Sequence, residues 1–457
     1  MPYICLSNYS FVRCTPHRAY IANQSNGKQL IYDASGGDWL NMLTHHPQTM
    51  KAIVEKLAEN YEDVNVSELS EDFHNFIEVL AKEGFVIVGN TIDDIRCKNR
   101  ETIEMQMDIP PITDLTIEVT NRCNERCIHC YLPDELKEKG SSMRLENLKT
   151  LVDSFADMGG QTVTLTGGEA FLFKDLTALL QHIQQRQLKV IVYSNLIALT
   201  AERLSELEKM DLDHIQTSLY AVHPEVHDRI TGVKGSCERT LLSIERIART
   251  CIPLKIACPV MKENRMDVIP LLNYAKRYMI PVELELNITA RENQATDNLE
   301  HRLSMEEMET LLRDLMAYDR EFTTRLLQRH KYTYDENFSL AEYLNYPVCT
   351  AGHYGLYVTS SGRVTTCPNL QGIEMGHISR TSLKEIWTES KEIKSLRHAT
   401  ECSFRQCVNC EASDYCFRCF ARNYTETGDY MQIPKYACDM AFLAKKIVEE
   451  QDNHTLC

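Results

Sequence analysis

Apolar and polar positions along residues 1–100 follow first the two-residue period of strands and then the period of helices. The segments YICL, RAYIA and QLIYD read as short alternating runs, and turn residues lie between the runs. This pattern predicts short strands. Apolar residues then recur at i, i+3, i+4 and i+7, which predicts two amphipathic helices. The first set is Met50, Ile53, Val54, Leu57, Ala58 and Tyr61, and the second is Leu69, Phe73, Phe76, Ile77, Leu80 and Ala81. The run GFVIVG predicts a closing strand, so we expect residues 1–100 to form a small α+β domain.

Residues 110–300 alternate strand-like and helical segments with a regular spacing. The strand-like runs are LTIEV, TVTLT, KVIVY, HIQTSL, LKIACPV and VELELNI. Six repeats of this kind predict a parallel sheet with right-handed crossovers, and we expect an α/β fold of the partial (β/α)6 TIM-barrel type. Ligands of such sheets bind at the carboxyl ends of the strands. A helical connector is expected at 301–345, opened by a capping box of Ser304 and Glu307. Residues 346–457 form a cysteine-rich domain.

Composition and charge exclude several classes of protein. The 457 residues carry a formal net charge of −16, which argues against a general nucleic-acid binder. The amino terminus lacks the pattern of a secretory signal, and no apolar run is long enough to span a membrane. We therefore expect a cytoplasmic protein that binds neither nucleic acid nor membrane. In a reducing compartment, its 18 cysteines favour metal or redox chemistry over disulfides.

Three cysteines lie within eight residues, in the segment CNERCIHC after the first strand of the repeats. Cys123, Cys127 and Cys130 are spaced i, i+4 and i+7, so one alternative is a buried helical stripe. A second alternative is a zinc site with His129 as the fourth ligand. The third is a [4Fe–4S] cluster held by three thiolates, with one iron open to an external ligand.

The segment CNERCIHC resembles the CxxxCxxC signature of radical S-adenosylmethionine (SAM) enzymes. That resemblance implies that the open iron binds SAM, and that reductive cleavage of SAM yields a 5′-deoxyadenosyl radical that abstracts hydrogen. Gly167, Gly168 and Glu169 end the second strand and look like the family motif that binds the SAM amino group. By the same resemblance, Ser194, Asn195 and Ser218 are candidates for further SAM contacts. No catalytic side chain is indicated beyond the cluster ligands.

The carboxy-terminal cysteines follow the order C…GxxxxC…CxxCxxxxxCxxC…C. A zinc knuckle is one alternative, although only five residues separate its two pairs. The order resembles the SPASM domain, which implies two auxiliary [4Fe–4S] clusters and three clusters in total. The implied ligands of the outer cluster are Cys407, Cys410, Cys416 and Cys438, and those of the inner cluster are Cys349, Cys367 and Cys419. Whether Cys402 completes the inner cluster is open.

The order of elements in residues 1–100 is winged-helix-like and resembles the PqqD-like domains that recognise leader peptides. Together the resemblances imply a radical SAM/SPASM maturase of a ribosomally made precursor peptide, with an electron donor such as flavodoxin or ferredoxin. The expected product is a cysteine thioether cross-link. The alternatives are a C–C or C–O cross-link, residue oxidation as in sulfatase maturation, a zinc-stabilised peptide-binding scaffold, and an iron–sulfur electron carrier.

Overall fold

A computed structural model describes most of the chain. The described residues are 2–7, 10–14, 18–23, 28–61, 64–95, 98, 112–133, 135, 137, 140–328, 347–349, 351–370 and 372–454. They divide into two compact units, which are residues 1–111 with 156–161, and residues 112–155 with 162–457. None of the described helices combines the length and the apolar character that a membrane span requires.

The described residues of the first unit contain two small sheets, three longer helices and a short helical stretch at 92–95. Its strands are β1 (Tyr3–Leu6), β2 (Ser10–Cys14), β3 (Arg18–Asn23), β4 (Lys28–Asp33), β5 (Gln48–Thr49) and β6 (Val86–Gly89). Its helices are α1 (Ala34–Asn41), α2 (Met50–Ala58) and α3 (Val66–Lys82). One sheet has the strand order β5-β1-β6 and the other β2-β3-β4, and all their pairs are antiparallel.

The core of the first unit follows the predicted periodicities. Ile53, Val54 and Leu57 of α2 and Phe73 and Ile77 of α3 are buried in one apolar core. Both predicted helices and the closing strand are therefore confirmed, except that Tyr61 lies beyond the end of α2. The pattern did not locate α1, whose sequence contains two glycines, because glycine is a poor helix former. This helix begins at Asp33, whose carboxylate accepts a hydrogen bond from the Gly36 amide.

The second unit is built on the predicted parallel strands. They are β7 (Asp114–Thr120), β8 (Thr162–Gly167), β9 (Lys189–Tyr193), β10 (Leu212–Ser218), β11 (Leu254–Pro259) and β12 (Val282–Glu285). The helices among them are α4 (Leu145–Asp157), α5 (Leu176–Gln185), α6 (Ala201–Leu207), α7 (Pro224–Thr231), α8 (Ser236–Ile247) and α9 (Val268–Arg277). Each strand pairs in parallel with the next one along the chain. The predicted α/β fold with a parallel sheet is thus confirmed.

The cysteine-rich region continues the same sheet. Strand β13 (Gly355–Val358) pairs in parallel with β7, and the antiparallel strands β14 (Arg363–Thr365) and β15 (Gly376–His377) extend the sheet to nine strands. The remaining helices are α10 (Met305–Tyr318), α11 (Arg320–Leu327), α12 (Leu383–Glu389), α13 (Lys391–His398), α14 (Phe420–Thr427) and α15 (Lys435–His454). The capping box of Ser304 and Glu307 is present at the start of α10. The end of the predicted connector, 329–345, lies outside the described residues.

Candidate functional site

The segment CNERCIHC forms an irregular loop at the carboxyl end of β7. Residues 121–130 form no helix, so the interpretation as a buried helical stripe is wrong. The loop is held against the end of α7, because the amide of Arg126 donates to the carbonyl of Thr231 (2.8 Å) and that of Ile128 to the carbonyl of Ile230 (3.0 Å). The loop therefore owes its conformation to backbone contacts with a distant helix.

The three thiols of this loop are close enough to interact electrostatically. Burial is the main cause that raises the pKa of Cys123 to about 12 and that of Cys127 above its ordinary value. The Cys127 thiol donates to the carboxylate of Glu125 (3.4 Å), and the Tyr220 hydroxyl donates to the Cys127 sulfur (3.6 Å). Such buried thiols become thiolates only when a cation such as iron compensates their charge.

Gly167 and Gly168 allow two backbone segments to meet. A Cβ atom on Gly167 would lie 2.0 Å from the carbonyl oxygen of Thr120, and one on Gly168 would lie 2.3 Å from that of Arg122. The amide of Gly168 donates to Thr120 and that of Glu169 to Arg122, both at 2.8 Å. The glycines therefore bring the end of β8 against the backbone that leads into the cysteine loop.

Glu169 is buried and held by neighbouring donors. Its carboxylate accepts from the Ser194 hydroxyl (2.6 Å), the Asn195 amide (2.7 Å) and the Phe171 amide (2.8 Å). Burial raises the pKa of Glu169, and these hydrogen bonds oppose the rise. The side chain of Asn195 also donates to Asn124 of the cysteine loop (2.7 Å). Ser194 and Asn195 thus position Glu169 and connect it to the loop.

A cavity of about 770 Å³ brings the candidate residues together. The candidates that line it are Cys123, Cys127, Cys130, Gly167, Gly168, Glu169, Ser194, Asn195, Ser218 and Cys419. Strands β9 and β12 add Tyr193, Glu283 and Glu285 to its wall. As expected for parallel strands, the cavity lies at their carboxyl ends. Its volume lies within the range of small-molecule and cofactor sites.

His129 also lines this cavity, with an edge-to-face contact to Tyr220. Burial is the main cause that lowers its pKa to about 4. Within the described ranges, no three His, Cys, Asp or Glu side chains lie close enough together to hold a single metal ion. A zinc ion draws all its ligands to one point, whereas each thiolate of a [4Fe–4S] cluster binds a different iron. The three thiols on one cavity wall are therefore a donor set that suits the cluster.

Seven carboxy-terminal cysteines fall into two groups. The pKa of Cys367 is raised to about 12, mainly by burial, and Cys419 and Cys349 are near enough to add to the rise. The pKa of Cys407 is raised to about 11 by burial and by Cys416, Cys438 and Cys410. We name Cys349, Cys367 and Cys419 the inner group. We name Cys407, Cys410, Cys416 and Cys438 the outer group. Their thiol-only composition fits iron–sulfur clusters.

Cys402 differs from these seven cysteines in its surroundings. It is exposed, and its sulfur contacts the hydroxyl of Thr400 at 3.2 Å. The neighbouring Glu401 is buried and forms an ion pair with Arg418. The sequence left the role of Cys402 open, and its exposure supports an inner group of three cysteines.

Three residues at the cysteine loop were not among the candidates from the sequence. Glu125 is buried beside Cys127, and burial is the main cause that raises its pKa to about 7. Tyr220 contacts both Cys127 and His129. The Arg291 guanidinium donates to the carbonyl of Cys130 (2.9 Å). Only Glu125 carried a sequence signal, since it lies inside the cysteine motif, whereas Tyr220 and Arg291 reach the loop from distant segments.

Comparison with known families agrees with this geometry. Residues 117–275 match the Radical SAM superfamily, residues 349–419 match the SPASM iron-sulfur cluster-binding domain, and residues 21–86 match coenzyme PQQ synthesis protein D (PqqD). The chain therefore carries radical SAM, SPASM and PqqD domains. The radical SAM and SPASM domains imply iron–sulfur clusters and SAM as cofactors.

Individual relatives cover much of the chain at low identity. The chain is 24% identical over 342 residues to an AdoMet-dependent heme synthase of Methanosarcina barkeri, an alignment that spans 70% of this chain and 94% of that protein. It is 27% identical over 301 residues to the PqqA peptide cyclase of Rhizobium meliloti, which spans 63% and 76%. Streptococcus suis SuiB bound to its precursor peptide SuiA has a similar fold, with a TM-score of 0.58, 14% identity and coverage of 95% and 99%.

Proposed function

We propose that this protein modifies a ribosomally made precursor peptide by joining a cysteine sulfur of that peptide to one of its carbon atoms. The observation that carries the proposal is the shared cavity, whose wall contains both the CxxxCxxC loop and Cys419 of the inner group. A peptide segment in this cavity has access both to the CxxxCxxC loop and to Cys419. The PqqA peptide cyclase and the SuiB complex support a peptide as the substrate.

Each part of the cavity wall has a role in this proposal. Cys123, Cys127 and Cys130 would hold the [4Fe–4S] cluster, and with SAM bound this cluster would supply the 5′-deoxyadenosyl radical. Glu169, positioned by Ser194 and Asn195, binds the SAM ammonium group. The inner and outer groups hold the two auxiliary clusters. The peptide would lose one hydrogen atom from carbon to the 5′-deoxyadenosyl radical and one proton from the thiol to solvent, and the remaining electron would pass to an auxiliary cluster as the C–S bond forms.

The first unit is proposed to hold the leader segment of the precursor. Among its described strands, β2 and β4 are the outer strands of one sheet, and β5 and β6 are those of the other. Outer strands present unpaired backbone groups, so an extended peptide binds there by adding a strand. The PqqD match over residues 21–86 supports this role. An electron donor such as flavodoxin or ferredoxin supplies the electron for SAM cleavage.

The test is anaerobic incubation of the reconstituted protein with SAM, a reductant and a cysteine-containing precursor. We expect the peptide to lose the mass of two hydrogen atoms and one alkylatable thiol per cross-link. A peptide that loses this mass but keeps its thiol indicates a C–C or C–O cross-link or residue oxidation. SAM cleavage with an unchanged peptide would contradict peptide modification. A colourless, zinc-loaded protein would support the scaffold alternative.

Heme formation is a second candidate, because an AdoMet-dependent heme synthase aligns with the chain over 94% of its own length. Removal of the first unit separates the two functions, because heme formation needs no leader peptide and should survive the deletion. Deletion of residues 1–100 should abolish peptide modification, since the leader peptide then has no binding site, while uncoupled SAM cleavage persists. Peptide modification that survives the deletion would instead favour an enzyme of the sulfatase-maturase type, which needs no leader-binding domain.

A further inference from the structure

Two buried arginines flank Cys419 of the inner group and line the cavity, but their charges are compensated differently. Arg418 and Arg422 are each 5% exposed. Arg418 forms an ion pair with the buried carboxylate of Glu401, and its guanidinium also donates to the Ser413 hydroxyl (3.2 Å). The positive charge of Arg418 is therefore already balanced by a carboxylate.

Arg422 has no such partner among the described residues. Its guanidinium donates from Nη2 to the carbonyl of Phe417 (2.6 Å), and its buried Nε has no hydrogen-bond partner in this part of the structure. The acidic residue one turn later on α14, Glu426, is engaged by Arg302. A buried cation without an anion is costly, so the structure requires negative charge from another source near Arg422.

The two cysteine groups would supply that charge as ligands of iron–sulfur clusters. The Cys419 sulfur accepts a hydrogen bond from the Arg422 amide (3.4 Å) at the amino terminus of α14. The Arg422 guanidinium donates to the carbonyl of Phe417, which lies between Cys416 of the outer group and Cys419 of the inner group. Arg422 therefore lies close to both groups.

We propose that Arg422 is a positioning residue that supplies the shared counter-charge of the two auxiliary clusters. Thiolate-ligated clusters are anionic and gain further negative charge on reduction, so a nearby buried cation stabilises the reduced form and raises the reduction potential. Arg422 thereby makes both clusters better electron acceptors for the electron released during peptide modification. The inference rests on the auxiliary clusters of the proposed function and not on the identity of the peptide.

The test measures reduction potentials without any substrate. Arg422→Gln and Arg422→Lys are each introduced into a Cys123→Ala/Cys127→Ala/Cys130→Ala background, so that only auxiliary-cluster signals remain in a titration followed by electron paramagnetic resonance. We expect more negative potentials for Arg422→Gln and potentials near the parent for Arg422→Lys. The matched control is Arg405→Gln, which removes an exposed arginine two residues before Cys407 and should leave the potentials unchanged because water screens its charge.

The outcomes separate this inference from the proposed function. Unchanged potentials in Arg422→Gln, or an equal shift in Arg405→Gln, would overturn the role of Arg422 and leave peptide modification untouched. If Arg422→Gln takes up no iron, the Arg422→Lys variant provides the test. An iron-loaded Arg422→Lys protein with strongly lowered reduction potentials would also overturn the role of Arg422. A wild-type protein that takes up no iron at all would overturn both proposals.

Discussion

At the residue scale, the site depends on the missing Cβ atom of Gly168 and on the hydrogen bonds that hold the Glu169 carboxylate. Gly168 leaves out a Cβ atom that would collide with the backbone of Arg122, one residue before Cys123. Glu169 is buried, yet three donors fix its carboxylate. A polar side chain in such surroundings is confined to one orientation, which suits the recognition of a small charged group.

Gly168→Ala should lower the free energy of unfolding by about 1–3 kcal/mol, because the added methyl group meets backbone that cannot move aside. It should also reduce SAM cleavage strongly, since the displaced segment leads into Cys123. Chemical denaturation and an assay of SAM cleavage check these two effects. The control is Gly235→Ala, whose Cβ would meet nothing within 4 Å and whose φ of +76° adds only a local backbone cost. Equal SAM cleavage by the two variants would contradict the prediction.

Ser194→Ala should shift the pH dependence of SAM cleavage. Burial raises the pKa of Glu169 and the Ser194 hydroxyl opposes that rise, so its removal raises the pKa further. If the ionised carboxylate binds the SAM ammonium group, cleavage increases as the pH rises through this pKa, and the acidic limb of the profile moves to higher pH in the variant. Ser243→Ala removes a buried hydroxyl that donates to the Leu196 carbonyl, and it should leave the limb in place. An unmoved limb in Ser194→Ala would count against the proposed role of Glu169.

At the scale of elements, a buried ion pair joins the start of the α10 helix to α14. Arg302 donates from Nη1 to the carboxylate of Glu426 at 3.0 Å, and both side chains are about nine-tenths buried. Arg302 also donates to the carbonyl of Ile288 and lies over the ring of Tyr436, 4.5 Å from its centre. The side chain of Arg302 thus connects the segment after β12 with the helices α14 and α15.

Arg302→Met should lower the free energy of unfolding by about 3–5 kcal/mol, because it leaves Glu426 buried without a counter-charge. The double variant Arg302→Met/Glu426→Met should lose less, since it leaves no unpaired charge. Denaturation curves of both proteins provide the comparison. Arg325→Met, which breaks an exposed pair with Glu321, should cost no more than about 1 kcal/mol. A double variant that is less stable than Arg302→Met would show that the pair is not the cause.

At the scale of the whole molecule, the pairing of β13 with β7 makes the cysteine-rich region part of the same sheet as the radical SAM strands. The same unit therefore carries the cysteine loop, the inner group and the cavity between them. This continuity gives a physical reason for the shared cavity, because a sheet fixes the positions of its strand ends relative to one another.

The iron content should report this organisation directly. After anaerobic reconstitution, we expect roughly twelve irons per chain in the wild type and about eight in the Cys123→Ala/Cys127→Ala/Cys130→Ala variant, at ~4 irons per cluster. Cys402→Ala should retain the wild-type content, because Cys402 is exposed and its sulfur contacts Thr400. Iron, zinc and sulfide analysis checks each value. An iron-poor protein loaded with zinc would contradict the cluster assignments, and a loss of iron in Cys402→Ala would make Cys402 a ligand.

Hydrophobic periodicity made most of the fold predictable. All six parallel strands, the two amphipathic helices of the first unit and the capping box of α10 were correctly predicted, because local pattern and capping chemistry act within a few residues. Helix α1 was not located, since two glycines obscure its signal and tertiary packing stabilises it. The motif spacing also pointed to the radical SAM and SPASM domains.

What the sequence determined by itself was thus the order of strands and helices, the parallel sheet and the residue types of the candidate site. Only the tertiary structure decided that the glycines serve backbone packing, that Ser194 and Asn195 hold Glu169, and that Tyr220 and Arg291 reach the cysteine loop. It also decided that Arg418 is paired with Glu401 while Arg422 lies near the cysteine groups without a carboxylate partner in the described part of the chain. These contacts join residues far apart in the chain. No local pattern encodes them, because they depend on where the sheet places the ends of its strands.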